Sequence, residues 1–110
     1  MGKYDGLVKY DKLIRDNVPE IIEASGARYK THVAGNDEYR NKLITKLSEE
    51  VREFLEEPCV KELADIQEVI NAISELEFGG LEELERVREE RADKRGGFNK
   101  RLILEKTDNR

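Results

Sequence analysis

Residues 48–65, SEEVREFLEEPCVKELAD, hold seven carboxylates within eighteen positions. Apolar residues flank them at helical spacing on both sides of Pro58, so the acids can be placed on helix faces. At about 100° per residue, Lys42, Lys46, Glu49, Glu50 and Glu53 form one stripe beside the apolar face, with Glu50 bordering Leu43 and Phe54. On the following helix Glu62 falls inside the arc of Ile66, Val69, Ile70 and Ile73, and Asp65 lies at its edge. Charged residues rarely stay buried without a partner, so Glu62 reads as a functional acid facing the other helix. With a tight turn between Glu57 and Pro58, residues equidistant from it lie level, Glu53 with Glu62 and Glu50 with Asp65. The two levels are about 4.5 Å apart, so four carboxylates gather within one helical turn. Such anions raise one another's pKa and cost desolvation, and a bound cation relieves both. Oxygen ligands without a histidine or cysteine alternative favour a hard ion, Mg²⁺ first, with Mn²⁺ able to substitute and zinc disfavoured. Glu56, Glu57 and Glu68 read instead as solvated acids or as acids that favour a helix dipole.

The elements that position these acids follow from periodicity. Leu43, Ile44, Leu47, Val51, Phe54 and Leu55 predict a helix over 38–57. Leu63, Ile66, Val69, Ile70, Ile73 and Leu76 predict a second over 58–77, with Pro58 in its first turn and Gly79-Gly80 ending it. LEELERVREERADKR, over 81–95, has only Leu81, Leu84 and Val87 as an apolar stripe and reads as an exposed outer helix. NVPEIIEASG, over 17–26, predicts a helix of about two turns, with its proline early and a glycine at its stop. Residues 28–33 and 101–105 alternate like short strands and could pair with each other.

Composition bounds the rest. At 110 residues the chain predicts a single domain, residues 1–110, which is too short for two independent cores. It is 41% charged, with mean hydropathy -0.77. No apolar run approaches the roughly 20 residues of a membrane span, and the first residues lack the apolar stretch of a signal peptide. Together with a lone cysteine, Cys59, this predicts a cytoplasmic protein without a membrane partner. Cys59 itself reads as a small buried or half-buried side chain, and His32 as structural. The net charge of -5 is uneven: residues 1–46 carry nine basic and seven acidic side chains, 47–85 two and thirteen, and 86–110 nine and five. Basic residues in the flanks, of which Arg15, Lys46 and Arg95 are the chosen candidates, could contact a phosphorylated substrate through charge-assisted hydrogen bonds. They alternate with acids and lack an aromatic platform, which argues against nucleic acid as a partner. Phe98 reads as packing rather than as a base-stacking ring.

Glu49-Glu50-Val51-Arg52-Glu53 followed by Glu62-Leu63-Ala64-Asp65 resembles the EExxE and ExxD signature of the all-α nucleoside triphosphate pyrophosphohydrolases, the MazG-like superfamily. YDKLIRDNVPEII (residues 10–22) and RGGFNKRLILE (residues 95–105) resemble its small members described as phosphoribosyl-ATP pyrophosphohydrolase-like. The eight-residue spacer between Glu53 and Glu62 is shorter than the family's common gap. The elements above predict an all-α domain with a minor two-stranded element at 28–33 and 101–105. Its long helices cannot bury their apolar faces in so small a chain, so the helical hairpin is expected to complete a bundle in a homodimer or higher oligomer, as the resemblance also implies. The resemblance further implies Glu50, Glu53, Glu62 and Asp65 as metal ligands. The implied reaction is Mg²⁺-dependent hydrolysis of a nucleoside or deoxynucleoside triphosphate, a small-molecule substrate, between its α and β phosphates. Glu49 or Glu53 would orient the attacking water. Phosphoribosyl-ATP is the alternative substrate, and a non-catalytic helical oligomerisation module is the alternative of another class.

Overall fold

The computed structural model describes residues 2–108, and within them every regular element is an α-helix: α1 (Val18–Ala24), α2 (Asn36–Glu56), α3 (Val60–Glu77) and α4 (Leu81–Arg95). α2 and α3 form an antiparallel hairpin, and α4 packs more sparsely against α3.

The turn of the hairpin is one place where the structure departs from the expected boundaries. Pro58 lies outside both helices, in the stretch 57–59, because a proline drives the residue before it out of the helical region. Glu57 accordingly has φ -142° and ψ 84°, and Cys59, at φ -156° and ψ 162°, is the extended residue from which α3 starts. Cys59 is exposed in this turn, which corrects the buried or half-buried expectation. α2 begins at Asn36, two residues before the expected start, with Gly35 as its extended cap.

At the other end of α3, Gly79 and Gly80 take φ of 88° and 93°, which disfavour any residue with a Cβ. Ser74, almost wholly buried, locks this corner, its hydroxyl donating to the Gly80 carbonyl at 2.8 Å while the Gly80 N–H donates to the Ser74 carbonyl at 3.0 Å. The lock sets where α4 begins. As expected, α4 is an outer helix without buried residues, its surface laced by ion pairs of Arg86 with Glu83 and Glu90 and of Arg88 with Glu85.

Neither segment expected as a strand is one. Residues 28–33 and 101–105 are irregular and mostly exposed, Val33 at 98% relative exposure. A strand persists only where a neighbour takes up its N–H and C=O groups, and neither segment has such a ladder. Phe98, at 95% exposure, packs on nothing, so its expected packing role is also corrected. His32 is exposed as well, with Nε2 2.9 Å from Glu38 Oε1.

The core is small. Among the described residues the buried apolar side chains are Leu43 (2% exposed) on α2 and Val69 (7%) on α3, which meet in the hairpin seam. The molecule measures 69 × 31 × 27 Å and has a radius of gyration of 19.5 Å. A compact chain of this length would have about 13 Å.

Candidate functional site

The hairpin brings three of the four expected ligands together. Glu50 from α2 and Glu62 and Asp65 from α3 each offer a carboxylate oxygen, and these oxygens lie within 4.8 Å of one another. Glu50 arrives by the periodicity that buries Leu43, two turns earlier on the same face. Glu62 opens α3 on the face that Val69 continues. Glu53, the fourth, is exposed and outside this group, although its charge still acts on Glu50. Glu49, half-buried on the neighbouring stripe, is also outside it.

Acids on a surface gather without consequence, but these are not all on a surface. Glu50 is only 9% exposed, and its Oε2 and the Oε2 of Glu62 are buried atoms without a hydrogen-bond partner. Leaving such an atom unpaired costs about 1–3 kcal/mol, more when the group is charged. Burial, first, pushes the Glu50 carboxyl up to about 7, helped by the charge of Glu53, the close approach of the Glu62 carboxyl and the charge of Asp65, and opposed by Lys46.

Two of the three expected phosphate contacts lie beside this group. Lys46 Nζ is 3.9 Å from Glu50 Oε1, one helical turn away on α2. Arg15 Nη2 donates to Asp65 Oδ1 at 2.8 Å across fifty residues of sequence. Arg15, Lys46, Glu50 and Asp65 line one cleft of about 570 Å³, within the size of small-molecule sites. Its floor is Leu43, Val69 and Ala72, and residues 13–18 and Ile21 form a wall. Arg95 lines no part of this cleft. It closes α4, where its charge favours the helix dipole.

Residues 13–18 as a wall, and Tyr39 and Glu75 at the far end of the cleft, were not foreseen. Residues 13–17 are irregular, so no period marks which side chains turn inward. Within this stretch the sequence singled out Arg15 alone, as a phosphate contact.

The oxygen-only donor set suits a hard divalent cation. Oxygens bound to Mg²⁺ at about 2.1 Å are at most about 4.2 Å apart, so ligation asks for only a small inward movement of the three carboxylates. No family model matches the chain, and neither a curated protein nor a solved structure matches it.

Proposed function

We propose that the protein is a Mg²⁺-dependent nucleotide pyrophosphohydrolase of the MazG-like kind, cleaving a nucleoside or deoxynucleoside triphosphate between its α and β phosphates in the cytoplasmic nucleotide pool. The observation that carries this reading is the buried, unpartnered Glu50 Oε2 set against Glu62 and Asp65 in a cleft edged by Arg15 and Lys46. A bare cluster of acids favours no polyanion, whereas acids that hold a cation, with two basic side chains beside them, do.

Glu50, Glu62 and Asp65 would hold the ion, with Glu53 as the fourth ligand that the resemblance implies. When bound, Mg²⁺ supplies charge neutralisation at the phosphate oxygens and a lowered pKa for an attacking water. Glu49 or Glu53 accepts a proton from that water and orients it. Lys46 and Arg15 bind phosphate oxygens, Arg15 with the planar fork that suits them. The apolar floor of Leu43, Val69 and Ala72 takes the less polar part of the nucleotide and excludes water from one side. Phosphoribosyl-ATP, the alternative substrate, has the same α–β linkage.

The same reading includes self-association. Ile44, Val51 and Leu55 on α2 and Val60 and Leu63 on α3 are exposed and follow helical spacing, and a second copy covers them in a helix bundle.

The test is a screen of canonical, deoxy and modified nucleoside triphosphates and phosphoribosyl-ATP, scored by pyrophosphate release, with Glu50→Gln and Asp65→Asn beside the wild type. Both variants are expected to lose most metal-dependent turnover with the helical circular dichroism nearly unchanged. Full activity in both would sink the assignment. A melting temperature indifferent to Mg²⁺, with no turnover of any substrate, would leave the helical oligomerisation module in its place.

A further inference from the structure

Arg15 makes an ion pair that its expected role does not explain. Its guanidinium lies along the cleft lining and donates from Nη2 to Asp65 Oδ1 at 2.8 Å. Asp65 is one of the three grouped carboxylates, its side chain is 27% exposed, and the pair engages its Oδ1. A divalent ion that takes Asp65 must share the carboxylate with a guanidinium, and the two cations repel each other.

The segment bearing Arg15 is latched to the hairpin at two points. Lys42 Nζ donates to the Asp11 carbonyl, and Arg15 donates to Asp65. Between and beyond these latches, Leu13, Ile14 and Val18 form the cleft wall. Arg15 is also held from behind, because the Val18 N–H donates to its carbonyl at 3.0 Å at the start of α1. The wall and the acidic group are thus joined through one side chain.

We propose that Arg15 is a positioning residue with two alternative anionic partners: it holds Asp65 until a divalent cation takes that carboxylate, and then binds a phosphate oxygen of the nucleotide. Lys46 does not exchange in this way, since its partner Glu50 lies one turn away on the same helix. The inference rests on the metal-dependent reading above, and it makes cation and nucleotide bind in a coupled order. The ion releases Arg15, and with it the segment next to Val18, from Asp65, and a phosphate pins it again. Because the guanidinium competes with the ion and assists the phosphate, its removal acts in opposite directions on the two affinities.

Three measurements on the full chain test this. Titration with Mn²⁺ alone, followed by the electron paramagnetic resonance of the free ion, should give Arg15→Ala a roughly three- to tenfold tighter affinity than the wild type, the range of a charge-assisted contact. Calorimetry with inorganic pyrophosphate in saturating Mg²⁺ should give the same variant an affinity weaker by a similar factor. Arg15→Lys, which keeps the charge without the fork, should fall between the two. In the wild type, hydrogen exchange at the Val18 amide should quicken with Mg²⁺ and slow again when pyrophosphate is added. An Arg15 that only braces Asp65 predicts the reverse for the metal, weaker binding in Arg15→Ala. That result, or a Val18 amide unmoved by Mg²⁺, overturns the proposal. A wild type that binds no Mn²⁺ at millimolar concentration overturns the metal-dependent reading itself, whereas metal binding without the opposed shifts overturns only the role of Arg15.

Discussion

Glu50 concentrates the chemistry of the molecule in one carboxyl. Its pKa, pushed up to about 7 from the usual 4.5 mainly by burial, links protonation to stability with a definite sign. Between those values the native protein binds more protons than the unfolded chain, so stability falls as pH rises through that window and is level above it. Without divalent ions, the melting temperature should therefore drop between about pH 5 and pH 7.5. Glu50→Gln should flatten the slope and gain on the order of 2 kcal/mol at pH 8, as read by denaturant titration. Saturating Mg²⁺ should raise the melting temperature of the wild type above pH 7 and do little for the variant, because the ion ligates the ionised Glu50 carboxylate, which the amide lacks. A wild-type melting temperature independent of pH across this range would contradict the burial of Glu50. The facing of Glu62, Glu50 and Asp65 could be read from sequence because helical phase alone fixes it. The pairing of Arg15 with Asp65 could not, because it spans fifty residues and begins in a segment without a period.

At the scale of elements, periodicity located α2, α3 and α4, while proline and glycine punctuation located α1. The bounds of α4 are as expected, and those of α2 and α3 are shifted at the starts. Leu43, Val51 and Phe54 mark α2 whatever follows them, but whether Pro58 enters α3 depends on the backbone of Glu57 and Cys59, which hydrophobic spacing does not encode. Residues 28–33 and 101–105 failed for a different reason. Alternation marks a segment able to be a strand, and only a neighbouring ladder makes it one. The corner between α3 and α4 is more than a pair of glycines, since Ser74 ties it from inside the hairpin. Ser74→Ala should cost about 1 kcal/mol in urea denaturation. It should also quicken amide exchange across α4 while leaving α2 unchanged. Uniform quickening in all helices would show that the hydroxyl serves the hairpin rather than the corner.

The whole molecule has more apolar surface than one chain covers. Two buried apolar side chains and a radius of gyration of 19.5 Å describe a hairpin with appendages rather than a closed bundle. Self-association should therefore appear in solution as a mass that is a multiple of 12.8 kDa by light scattering. Leu55 is exposed in the single chain, so Leu55→Glu should leave an isolated hairpin unharmed. In an oligomer it should lower the mass to one chain and reduce the melting temperature. A wild type that runs as a single chain would remove the bundle and leave Leu55→Glu without effect. No helix among the described residues is long and apolar enough to cross a membrane.

The carboxylates of the grouped site all come from the α2–α3 hairpin, with Glu50 and Asp65 its most distant members in sequence. Closing a loop of this length is fast and loses little chain entropy. The acids are therefore expected to meet as the hairpin forms, before the segment carrying Arg15, fifty residues from Asp65, has docked. Their mutual repulsion is then a barrier to folding as well as a feature of the native state. A divalent ion that bridges the two helices would lower that barrier, so Mg²⁺ would act first on the rate at which the chain folds.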